Sequence, residues 1–286
     1  MAGCHAQTLG AYFIKGKQPG YSAISSIVDL FDGDRLVVHD DQPDSWITGD
    51  RIVILMHGLC GFHGSPYMVR TASKLNRAGI RTIRVDMRGF GDSALISRNH
   101  LHGGCSQDLL SVIRFVRRLS PLSSISLVGF SIGGNIVLRT LGKFADQLET
   151  TVDSAVAVCP PIDLIECSGN LRNRGNRLYE KYFIRRMSEQ LKLRRRQVKG
   201  LVDPGKGPVP DRLIAWLPAH WIRSQENTQI SCGACRLLID LHVRVLFGSQ
   251  FVGCFGFASG HCSRLVHEAE WVLGRCYVYT LQAVSV

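Results

Sequence analysis

The chain has 286 residues, 45% of them hydrophobic and 20% charged, with 34 Lys and Arg against 23 Asp and Glu for a formal charge of +11. That balance excludes disordered and fibrous classes, and the length suits a single α/β domain. No stretch approaches the roughly 20 consecutive apolar residues of a membrane helix, and residues 1–20 lack the apolar run of a signal peptide. A soluble cytoplasmic protein is therefore expected.

The first two-thirds alternate strand-like and helix-like segments. Residues 51–56 (RIVILM) form a short apolar run that enters the loop His57-Gly58-Leu59-Cys60-Gly61, as a buried parallel strand would. A helix is expected over 66–78, with Ser65 as its cap, Pro66 in its first turn and Gly79 as its stop. Residues 81–85 predict the next strand, ending at Asp86, and RGFGDS makes a Gly-rich loop. Residues 106–119 (SQDLLSVIRFVRRL) place Leu109, Leu110, Ile113 and Val116 on one helical face. Strands are expected at 125–130 and 154–158, with a helix over 132–141 between them. This alternation predicts an α/β fold with a mostly parallel sheet and helices on both faces.

Gly129-Phe130-Ser131-Ile132-Gly133 is a G-x-S-x-G motif at a strand-to-helix turn. A turn that sharp strains the serine and needs small residues two positions to either side. The Ser131 hydroxyl is then expected at the carboxyl end of the sheet, as the nucleophile of an ester hydrolase. Ester cleavage develops an oxyanion that needs two backbone donors. Ile132, which follows the nucleophile, is the first candidate, and Leu59, in the loop after an early strand, is the second. His57 is read as a structural histidine supporting that loop, because the base in such folds comes late in the chain.

In order and spacing, HGLCGFHGSPYMVR, RVDMRGFGDS, HGGCSQDLLSVIRFV, LVGFSIGGNIVLRTLG and VCPPIDL resemble the YheT-like branch of the α/β-hydrolases. Residues 3–8 (GCHAQT) resemble its N-terminal segment, and 178–183 (LYEKYF) its cap region. The resemblance covers about residues 1–200. It implies carboxylesterase or acylglycerol-lipase-like activity on a small-molecule or lipid ester without a cofactor. It also implies that Arg88 and Gly89 shape the pocket wall and that Asp108 orients its helix.

The family's late Asp-Asp-Pro and Gly-Gly-His segments do not stand intact here. The nearest acid is Asp240, at the end of CRLLID, and the nearest base is His261, with His267 as second choice and Asp163 as a competing acid. Residues 201–286 change character: Lys206 is the last lysine, and the strand–helix alternation fades apart from a possible strand within 236–247. A divergent C-terminal segment and a stretch translated in a shifted frame both fit this change. If that segment lacks a working acid and base, the chain is a catalytically impaired α/β-hydrolase-like protein.

Much of the positive charge falls in residues 172–199, where many Arg and Lys face only Glu180 and Glu189. A solvated face over the active site and a weak contact with anionic membrane surface are the competing readings. No nucleic-acid-binding signature accompanies it. Of the ten cysteines, Cys232 and Cys235 form one CxxC, but a structural zinc needs a second, correctly spaced pair, so no metal is expected.

Overall fold

The computed structural model describes residues 22–161, 164–202, 242–248, 266–269 and 276–281. Among these described residues, nine strands form one sheet: β1 (Ile24–Asp29), β2 (Arg35–Asp41), β3 (Ile52–Met56), β4 (Arg81–Asp86), β5 (Ile125–Phe130), β6 (Val152–Val158), β7 (His242–Gly248), β8 (Val266–Ala269) and β9 (Cys276–Leu281). Their spatial order is β1-β2-β4-β3-β5-β6-β7-β9-β8. The pairings from β4 through β3, β5 and β6 to β7 are parallel, and the flanking pairs are antiparallel. The expected α/β architecture is thus present, and this is the α/β-hydrolase fold.

β3 and most of β5 are buried on both faces, which is why they read as continuous apolar runs rather than alternating ones. All five residues of β3 are buried. On one face, α1 (Pro66–Arg77) packs Met68 and Ala72 against Val53 and Leu55. On the other, α2 (Ser106–Leu119) and α3 (Ile132–Lys143) pack Leu109, Ile113, Ile136 and Val137 against Ile52, Ile54 and Leu127. Each such side chain contributes about 1.5–3 kcal/mol by leaving water. Three further helices complete the described core: α4 (Ala145–Leu148), α5 (Leu164–Leu171) and α6 (Arg177–Gln197).

The start of α1 differs in one respect from its expected cap. Ser65 occupies the N-cap position, but its hydroxyl makes no capping bond. It accepts the Phe62 N–H at 3.0 Å instead, tightening the preceding loop. The helix ends as expected, with Gly79 at φ 75° and its N–H donating to the Asn76 carbonyl at 2.9 Å.

Two strands absent from the sequence expectation, β1 and β2, extend the sheet beyond β4. β2 carries Asp40 and Asp41 into the sheet because arginines of β4 receive them. Arg81 pairs with Asp40, and the fully buried Arg84 donates to both oxygens of Asp41 at 2.7 and 3.1 Å. The possible strand within 236–247 is observed as β7, which pairs with β6 in parallel.

Candidate active site

β5 ends at Phe130 and α3 begins at Ile132, so Ser131 alone must redirect the chain. Its backbone sits at φ 51°, ψ −120°, a conformation that L residues rarely adopt. Two hydrogen bonds hold it there. Its N–H donates to the Val158 carbonyl at the end of β6 at 2.8 Å, and its carbonyl accepts the Asn135 N–H at 3.1 Å. The flanking glycines are required by close approach. A Cβ on Gly129 would collide with the Gly133 backbone, and one on Gly133 would lie 2.5 Å from the His57 carbonyl oxygen. Ser131 is half-buried, and its hydroxyl makes no hydrogen bond to another described residue.

The His57–Gly61 loop lies directly against this bend: a Cβ on Gly58 would sit 3.4 Å from Ser131 Cβ. Within the loop, most amides are already committed. Gly58 N–H donates to Tyr67 Oη at 2.8 Å, and Gly61 N–H to the Gly58 carbonyl at 2.9 Å. Leu59 N–H has no acceptor among the described residues. Ile132 N–H is likewise open, since a first helical residue has no intrahelical acceptor, and the helix end adds partial positive charge. The two amides expected from the sequence therefore belong to segments that meet at Ser131.

Tyr67 was not anticipated. It stands one residue into α1, and its hydroxyl fixes the Gly58 amide; burial pushes its pKa up to about 12, so it acts as a neutral acceptor. Cys60, at φ 59°, shares the loop, but burial raises its thiol to about 12, which removes it as a competing nucleophile at neutral pH.

His57 is committed to the backbone: Nδ1 faces the Gly58 carbonyl at 2.8 Å and Nε2 accepts the Met87 N–H at 3.1 Å. Burial depresses its pKa, so the ring is neutral. It is structural, as expected. The other histidines with described side chains also have partners. His39 and His63 meet Asp86, His100 lies between Arg194 and the Val202 carbonyl, and His102 accepts the Gly104 N–H. Asp240 and His261 lie outside the described residues, as does Asp163, and of His267 only the backbone is described, in β8.

A cavity of about 310 Å³ lies beneath α6 and reaches the His57–Gly61 loop at Leu59. Leu59, Phe90, Leu101, Met187 and Leu191 supply much of its apolar wall. Leu59 belongs to both the cavity and the amide pair; Ser131 does not line the cavity. Arg88 and Gly89 do line it, and Arg88 donates to both oxygens of Asp108 at 2.6 Å while also reaching Asp32 and Asp34. Asp108 thereby anchors the first turn of α2. Gln190 donates to the Gly89 carbonyl, and the buried Arg194 donates to the carbonyls of Ala94, Ser97 and Asn99 at 2.8–3.0 Å. These bonds fasten α6 over the cavity.

A family model for the α/β-hydrolase fold matches residues 51–186. The "Putative esterase YheT" of Escherichia coli (strain K12) is 26% identical over 182 residues, 63% of this chain and 52% of that protein. A monoacylglycerol lipase of Saccharomyces cerevisiae is 25% identical over 131 residues, 45% of this chain and 29% of the lipase. The chain thus spans about half the length of the first relative and under a third of the second. Among solved structures, Est1E from Butyrivibrio proteoclasticus aligns with a TM-score of 0.53 at 17% identity, covering 80% of this chain and 79% of that one, an agreement in fold. Fold, motif order and relatives together show that this chain has the α/β-hydrolase fold and is similar to the YheT-like branch.

Proposed function

We propose that the protein is a serine hydrolase that cleaves carboxylic esters with a hydrophobic acyl group. The reading rests on one observation: Ser131 is held at φ 51° between two segments that carry open amides. Ser131 Oγ attacks the ester carbonyl carbon, and the amides of Leu59 and Ile132 hold the resulting oxyanion. The apolar cavity beneath α6 receives the acyl chain, with Leu59 bridging cavity and oxyanion site. That relatives are named esterase and monoacylglycerol lipase supports this substrate class.

The base that takes the Ser131 proton is His261. The backbone commitments of His57 support a base from late in the chain. Labelling by a fluorophosphonate probe tests the reading: the wild-type protein reacts and Ser131→Ala does not. Folded wild-type protein that resists the probe would overturn it. Wild-type protein that takes the probe slowly, at the rate of His261→Ala, would instead favour the impaired hydrolase.

The outer face of α6 serves as a weak contact with anionic lipid surface. Seven exposed Arg and Lys stand there against two Glu, the eighth, Arg194, being buried, and Leu178 and Leu193 are exposed among them. No helix among the described residues is long and apolar enough to cross a membrane.

A further inference from the structure

Away from Ser131, four side chains from separate stretches of chain converge: His39 of β2, His63 of the loop after β3, Asp86 at the end of β4, and Asp92 in the 3-10 turn that follows. One nitrogen or oxygen from each lies within 4.8 Å of all the others. His63 Nδ1 is 2.7 Å and His39 Nε2 3.1 Å from the same oxygen, Asp86 Oδ2, and His39 Nε2 is 3.5 Å from Asp92 Oδ2. The two imidazoles stack with centroids 3.5 Å apart. His39 and Asp86 are buried, His63 is partly buried, and Asp92 closes the outer side with 60% of its side chain exposed.

We propose that this cluster is a binding site for a divalent transition metal of the zinc class, held by His39 Nε2, His63 Nδ1, Asp86 and Asp92. Two imidazoles and two carboxylates make a donor set that suits zinc, whereas calcium takes six to eight oxygens. Zinc lies about 2.0–2.2 Å from such ligands, so tetrahedral neighbours stand about 3.4 Å apart. The observed separations reach that spacing through small movements, chiefly of the exposed Asp92. Two carboxylates balance the dication. Each imidazole coordinates as the neutral ring, and the proton it now directs at Asp86 leaves to water or moves to its other nitrogen.

Hydrogen bonds already orient these groups. Asp86 Oδ1 accepts the His63 N–H at 2.6 Å, and Oδ2 accepts the Asp92 N–H at 2.8 Å. Arg84, salt-bridged to Asp41, donates to the His63 carbonyl at 2.6 Å. Burial opposes ionisation of Asp86, but the bonds from His39 and His63 outweigh it and hold the carboxyl well below its usual range. A metal here would pin the loop carrying Leu59 to the sheet. The site does not depend on the proposed ester hydrolysis, and its test reads metal rather than turnover.

The test is titration of chelator-stripped full-length protein with Zn²⁺ by calorimetry and with Co²⁺ by absorption spectroscopy. One equivalent should bind, with cobalt ligand-field bands and no thiolate charge-transfer band. Asp92→Ala, at an exposed position that leaves the core intact, should weaken binding about 10- to 100-fold, on the scale of losing even a supporting group. His63→Gln should abolish the rise in Tm that Zn²⁺ gives the wild type, and Cys232→Ser with Cys235→Ser should change nothing. No saturable binding would overturn the proposal, leaving a hydrogen-bonded cluster only. So would a thiolate band, or binding that survives Asp92→Ala and His63→Gln but disappears with the cysteine pair.

Discussion

Met87 donates its amide N–H to Nε2 of His57 at 3.1 Å, just past the ends of two neighbouring parallel strands. The bond requires a neutral ring, which burial also favours. An unfolded histidine titrates near 6.5, and the folded value lies lower. Above pH 6.5 both states are neutral and the contribution of His57 is fully present. As pH falls below 6.5 the unfolded chain takes up a proton that the folded one resists, so stability declines toward the folded pKa. Denaturant titrations between pH 7.5 and 5 should show this decline reduced in His57→Gln. His57→Ala should cost about 1–3 kcal/mol through the unpaired Met87 amide.

Strain at position 131 gives a second expectation. A non-glycine residue in a sparsely populated backbone region costs about 1–3 kcal/mol. Ser131→Gly should therefore be more stable than Ser131→Ala by about 1 kcal/mol or more, with ester hydrolysis and probe labelling lost in both. Equal melting temperatures for the two variants would show that the bend carries no strain.

The approach of Gly133 to the strand β3 terminus predicts a severe effect from one methyl group. Gly133→Ala would place Cβ 2.5 Å from the His57 carbonyl oxygen and 2.7 Å from that of Met56. Both are backbone atoms, so relief means separating β3 from α3. A loss of about 1–3 kcal/mol or more is expected, together with loss of fluorophosphonate labelling although Ser131 is intact.

Arg88 holds buried carboxylates together. Arg88→Met should destabilise by about 3–5 kcal/mol, because Asp34 and Asp108 lose their counter-charge. Adding Asp108→Leu should recover part of the loss, a coupling that a double-mutant cycle reads directly.

On lipid vesicles, the basic face of α6 predicts salt-sensitive association. Each exposed Lys or Arg near an anionic surface contributes about 1 kcal/mol at low ionic strength. Replacing Lys181, Lys192 and Arg196 with Gln should lower partitioning onto phosphatidylserine-containing vesicles by about 100-fold, with little change on neutral ones. Binding that is indifferent to salt would remove the contact.

The central strands and the serine bend were legible because their signals are local. RIVILM and ISLVGF are apolar runs, and the spacing of Gly129, Ser131 and Gly133 is set by one turn. β1 and β2 were not legible for opposite reasons. Most of β1 is exposed, leaving no periodic apolar signal. β2 ends in two aspartates whose partners, Arg81 and Arg84, lie some forty residues away. The His39–His63–Asp86–Asp92 cluster escaped in the same way, since no spacing rule links four residues drawn from different turns and strands. The acid is a separate matter. β5 delivers Ser131 after its last residue, whereas Asp240 comes two residues before β7, a strand that runs in the same direction. Strand direction emerges only from the sheet pairing.

The amide of Ser131 is bonded across to β6, so its bend is braced from the side as well as along its own strand and helix. Every brace comes from residues between Met56 and Val158. The serine corner is therefore built within residues 56–158, and a different tail grafted after residue 202 would meet the same serine in the same pose.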